Sequence, residues 1–98
     1  MAQFDVFRLK TGGWVVDCQT DLLDGISTRF VAPLSLPDEA PPVRPRLNPV
    51  FEIAGEQRVM VTQFAGAVSL SEMGEKLGSL AAEEYIVKNA LDMLLSGV

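Results

Sequence analysis

Apolar and polar positions alternate in "QFDVFRL" near the amino terminus, where Phe4, Val6 and Phe7 or Leu9 stand among Gln3, Asp5 and Arg8. A period of two predicts a strand with one buried face. "KTGG" (Lys10 to Gly13) follows as a turn, because two glycines permit positive φ. "WVVDCQT", rich in β-formers at Trp14, Val15 and Val16, predicts the returning strand of a hairpin. "DLLDG" (Asp21 to Gly25) closes it with turn residues, and "STRFVAPL" (Ser27 to Leu34) predicts a third strand that ends at Pro33. Pro33 to Pro49 holds all six prolines, so a long ordered loop with extended pieces is expected there instead of helix or sheet interior. A second hairpin follows. Val50 to Ile53 and Arg58 to Phe64 flank "AGEQ", and Gly55 allows the turn. "AGAVSL" (Ala65 to Leu70) adds one short strand.

The period changes near the carboxyl end. "SLSE" (Ser69 to Glu72) has the spacing of a capping box and predicts a helix start, although Gly74 and Gly78 interrupt the stretch after it. From Leu80 the signal is clear. Leu80, Val87, Leu91, Leu94 and Val98 fall at helical spacing, as do Ile86, Ala90 and Met93. Glu83 and Glu84 suit the positive end of the helix dipole, and Glu84 and Lys88 form an i,i+4 pair. The predicted fold is mainly β with one C-terminal α-helix: an antiparallel sheet curled into a small barrel, as one domain over residues 1–98.

Composition adds a question. Apolar residues make up 48% of the 98, high for a small domain with a large surface. The surplus predicts a surface covered by a second subunit or another protein. The tail "MLLSGV" (Met93 to Val98) sharpens it, since chain ends are usually polar. The net charge of −5 and eight scattered basic residues argue against direct nucleic-acid binding. The single cysteine, Cys18, allows no intrachain disulfide, and no apolar run is long enough to span a membrane. Together with the absence of a signal-peptide layout, this predicts a cytoplasmic protein.

Little in the sequence supports catalysis. There is no histidine, so the commonest general base and metal ligand is missing, and no cofactor motif is present. Cys18 reads as a small buried hydrophobe and Trp14 as packing. The acid pairs Asp21/Asp24 and Glu83/Glu84 read as turn formers and helix-start charges. The residues alone describe a small interaction module, not an enzyme.

Longer stretches carry a resemblance. "QFDVFR", "VVDCQTDLLD" (Val15 to Asp24), "RFVAPL" (Arg29 to Leu34), "LNPVFEIAGEQRVMVTQ" (Leu47 to Gln63) and "IVKNALDMLLSGV" (Ile86 to Val98) resemble the CcdB toxin family from end to end. The resemblance implies an SH3-like barrel with a C-terminal helix, assembled as a homodimer. It implies a toxin of a type II toxin–antitoxin module that binds the A subunit of DNA gyrase and traps the cleaved DNA complex. It also implies a CcdA-like antitoxin that neutralises the toxin and links it to DNA for autoregulation. Carried over residue by residue, the gyrase contacts fall on Leu22 and Leu23 in the Asp-x-x-Asp turn, and on Asp92, Leu95, Ser96, Gly97 and Val98.

Three positions depart from the family pattern, which has Asn at 92, Phe at 95 and Trp at 96; here they are Asp92, Leu95 and Ser96. An indole is the kind of anchor that supplies roughly 2 kcal/mol or more to an interface, and serine keeps none of that area. Two readings follow: a gyrase poison with shifted contacts, or a CcdB-fold protein that has lost gyrase poisoning and acts on another topoisomerase, such as topoisomerase IV, or only in antitoxin binding and autoregulation.

Overall fold

In the computed structural model, which describes residues 2–97, seven strands precede one helix. They are β1 Asp5–Leu9, β2 Trp14–Asp17, β3 Thr28–Ser35, β4 Val50–Ile53, β5 Glu56–Met60, β6 Gly66–Ser69 and β7 Met73–Ser79, followed by α1 Glu84–Ser96. All pairings are antiparallel, in the order β4–β5–β3–β2–β1–β7. β6 joins β3 on the edge that β5 also uses, pairing with residues 28–31 while β5 takes Leu34 and Ser35. The sheet curls until β4 approaches β7: a methyl group placed on Gly78 would stand 3.8 Å from Ile53 Cγ2. The expected mainly-β, antiparallel architecture with one C-terminal helix is what forms.

Strand β2 shows why the pattern reads as it does. Trp14 and Val16 face the main core with Phe51, Met60, Val87 and Ala90. Val15 faces a second cluster with Phe7, Val31 and Met73. A strand covered on both sides has no polar face, so "WVV" is continuous instead of alternating. Helix α1 lays Val87 and Ala90 into the main core, with Ile86 and Leu91 partly buried beside them.

Three expectations change. The strand that was to end at Pro33 continues to Ser35. The Pro33 carbonyl accepts from Val61 N at 2.9 Å, so this side of the residue faces the junction where β3 passes from β6 to β5. The missing N–H falls in that gap in the ladder, where proline is tolerated. The stretch after "SLSE" is a strand and not a helix. Ser69 accepts from Ser71 N and caps only the 3-10 turn Leu70–Glu72, after which β7 pairs with β1 through two register shifts. Glycine is required there: a Cβ on Gly74 would lie 2.5 Å from the Arg8 carbonyl oxygen. Finally, the strand expected over Arg58 to Phe64 starts at Glu56, stops at Met60 and gives way to a 3-10 turn, Thr62–Phe64.

The β4–β5 hairpin turns on Ala54 and Gly55, both at positive φ (52° and 81°). Two consecutive left-handed residues suit Asn-Gly, and alanine is strained in the first place. Ala54→Asn is expected to stabilise the fold by about 1 kcal/mol, read as a higher urea midpoint with unchanged slope.

Candidate target-binding surface

The Leu22–Leu23 pair sits on a 3-10 turn, Asp21–Leu23, within the connection from β2 to β3. Thr20 Oγ1 accepts from Leu22 N at 3.3 Å, and Leu23 N donates to Thr20 O at 3.1 Å. Asp21 Oδ1 accepts from Gln3 N at 2.7 Å, and Gln3 Nε2 donates to Cys18 O at 3.0 Å. The turn is thus held from its base and from the amino-terminal segment. Every backbone tie leaves the two leucines outside: Leu22 is 91% exposed and Leu23 47%.

A buried charge pair anchors the base of this loop. Arg29 on β3 donates from Nε and Nη2 to Asp17 Oδ2, at 3.0 and 2.6 Å, and both side chains are sealed from solvent. The other carboxylate oxygen of Asp17 accepts from Gln19 N at 3.1 Å. Gln19 Oε1 in turn accepts from Phe30 N at 2.9 Å. Removing one partner of such a pair strands a charge in low dielectric, which costs far more than the pair itself contributes.

The second half of the expected surface is the end of α1. Gly97 takes the left-handed cap (φ 73°), and its N–H donates to Met93 O at 3.1 Å. Ser96 Oγ turns back on the helix and donates to Asp92 O at 3.1 Å. Beyond Leu91 every described residue is exposed, Leu95 to 78% and Leu94 to 40%. The helical spacing expected to pack Met93 and Leu94 therefore stops at Leu91 within the protomer. Val98 lies outside the described residues. The helix packs beside the Thr62–Phe64 turn, whereas the Leu22–Leu23 turn is braced by Gln3 and β3.

The remaining chemistry-bearing candidates have structural roles. Burial, and secondarily the Asp17 charge beside it, pushes the Cys18 thiol up to about 12, so it stays a protonated, inert thiol at neutral pH. Trp14 is packed in the core with the Arg58 guanidinium 3.8 Å from its ring centre. Glu84 pairs with Lys88 at 3.3 Å. Among the described residues no group of acids and cysteine is placed to hold a metal, and no helix is long and apolar enough to cross a membrane.

Gln3, Asp17, Gln19 and Arg29 were not singled out as a unit by the sequence. The available signal was an acid closing a β-rich run and an arginine between β-formers, both where apolar residues would be cheaper to bury. Ile26, Phe30 and Leu70 add further exposed apolar area on the β3–β6 side, also unanticipated.

Apolar side chains left bare on a small curled sheet, at Leu22–Leu23 and at the helix end, are the kind of surface that suits contact with another protein. The family model of the CcdB protein matches residues 3–97 of the 98, and the chain belongs to the CcdB family of toxin–antitoxin toxins.

The ion pair generates a prediction. Asp17→Leu and Arg29→Met are each expected to cost about 3–5 kcal/mol, while the double substitution costs clearly less than their sum. Urea unfolding of the three variants gives the coupling.

Proposed function

We propose that this chain is the toxin of a type II toxin–antitoxin module whose target is the A subunit of DNA gyrase, which it holds in the complex with cleaved DNA. The observation that carries the reading is the Leu22–Leu23 turn, in a chain of the CcdB family: two aliphatic side chains pushed into solvent on a turn braced by hydrogen bonds to Thr20 and from Gln3 to Asp21. Exposing such a pair costs solvation free energy that an isolated monomer has no use for, and a braced turn loses little entropy on docking. Leu22 and Leu23 would contact the target together with Asp92, Leu95, Ser96, Gly97 and Val98. The protein works as a homodimer, in which Met93 and Leu94 of each helix find cover and the two helix ends form one surface. A CcdA-like antitoxin neutralises it and carries it to DNA for autoregulation.

A second reading is favoured by one side chain. Ser96 spends its hydroxyl on its own helix and presents no area where the family pattern has an indole. In that reading the protein keeps its fold, dimer and antitoxin but acts on another topoisomerase, or only in autoregulation.

A DNA cleavage assay with purified gyrase separates them. Accumulation of linear DNA with the natural chain supports gyrase poisoning, and Leu22→Ala is then expected to weaken it roughly tenfold, a loss of buried aliphatic area and not of fold. No linear DNA at saturating protein, with cleavage appearing in Ser96→Trp, supports the second reading. The dimer is checked separately. Sedimentation at micromolar concentration should give a species of twice 10.6 kDa, and Leu94→Asp should shift it toward the monomer.

A further inference from the structure

A cleft of about 410 Å³ is lined by the segment Asp24–Ser27, Arg29 and Leu70. Its size is within the roughly 300–1,000 Å³ of small-ligand sites. Its lining includes none of the proposed target contacts, Leu22, Leu23 and the helix end.

Arg29 is the informative residue. Its side chain is sealed from solvent to 98%, yet only Nε and Nη2 are used, on Asp17 and the Gln19 carbonyl. Nη1 has no hydrogen-bond partner among the described residues. Nor is it among their fully enclosed unpartnered atoms, and its residue lines the cleft. A guanidinium held in place by a buried carboxylate, with two N–H groups to spare, is a fixed donor.

The charges around it select the acceptor. Asp17 already balances Arg29, and Asp24 adds a carboxylate to the cleft wall in a chain of net charge −5. A free anion would meet a neutralised arginine and a repelling aspartate. A neutral carbonyl oxygen takes the Nη1 donors without that repulsion. Ile26 and Leu70, exposed apolar side chains in the cleft lining, would cover an aliphatic group beside it.

We infer that the Asp24–Ser27/Leu70 cleft is a binding site for a neutral amide carrying a branched aliphatic group, with the carbonyl on Arg29 Nη1. Such an amide is offered by a small molecule or by a stretch of polypeptide. β6 is compatible with the latter, since it ends beside Leu70 and among the described residues pairs along one edge only.

The test uses the full chain labelled with nitrogen-15 and titrated with N-acetyl-leucinamide, with N-acetyl-leucine as the carboxylate control. Saturable shifts at Gly25, Ile26, Ser27, Leu70 and the Arg29 side chain are expected for the amide, with the carboxylate at least roughly tenfold weaker. Ile26→Ala and Leu70→Ala, both at exposed side chains, should each weaken the amide by roughly three- to tenfold. Asp24→Asn should leave the amide unchanged and strengthen the carboxylate. Tighter binding of acetyl-Gly-Leu-Gly-amide than of the single unit assigns the site to polypeptide; the reverse assigns it to a small amide. No saturable shift at 100 mM (roughly the weakest binding such titrations resolve), or a carboxylate that binds as well as the amide, overturns the inference.

Discussion

Asp17 on β2 and Arg29 on β3 meet on a diagonal, two residues from the Val31 that stands opposite Asp17, away from water, and the loop that carries Leu22 and Leu23 depends on them. Both charges lose their hydration on folding, so the chain must deliver them to each other within hydrogen-bond distance or forfeit several kcal/mol. The backbone around them is committed accordingly. Cys18 N reaches Phe30 O at 2.8 Å, and Phe4 N reaches Asp17 O at 2.6 Å, tying β3 and the amino-terminal segment to the same few residues. Phe4 accepts a positive φ of 73° in that arrangement and buries its ring in the main core. A loop hung on so demanding a pair has few alternatives, which is how ten residues between strands come to hold two leucines in water.

The helix end reaches exposure by a different route. A sheet of short strands offers α1 a limited surface, and the core is filled by Val87 and Ala90, with Leu91 at its margin. The helix runs on for five more residues, about 7.5 Å at 1.5 Å per residue, past the edge of what it packs on. Its apolar stripe continues into space that this protomer does not fill. The two exposures therefore have distinct physical origins: one is forced outward by local hydrogen bonds, the other is left over by the size of the core.

Much of the sheet was legible along the chain, and the misses have identifiable reasons. Alternation in "QFDVFRL" and the Gly12–Gly13 and Gly55 turns mark their hairpins because side-chain period and backbone sign are local properties. β7 was obscured because its glycines answer to another strand: Gly74 is small since the Arg8 carbonyl passes over it, and no neighbour in sequence reports that. Pro33 misled for the same reason. Its tolerance depends on β5 and β6 dividing one edge of β3, a matter of topology. The candidate surface was legible only where the CcdB resemblance supplied it. Its supporting residues, Gln3, Gln19 and Arg29, are isolated polar positions between residues 3 and 29, and each looks like ordinary loop or strand edge.

The sequence by itself determined the strand-forming stretches, the terminal helix, the absence of histidine chemistry and the surplus of apolar side chains, because each follows from residue type and spacing within a few positions. Only the tertiary structure decided where that surplus goes. Met93 and Leu94 share the helical spacing of Val87 and Ala90, and nothing local separates them. The difference is that the core covers one pair and not the other. Likewise Arg29 became a buried, half-used donor instead of a surface charge because β2 brings Asp17 to it, a contact that exists only once the strands are paired.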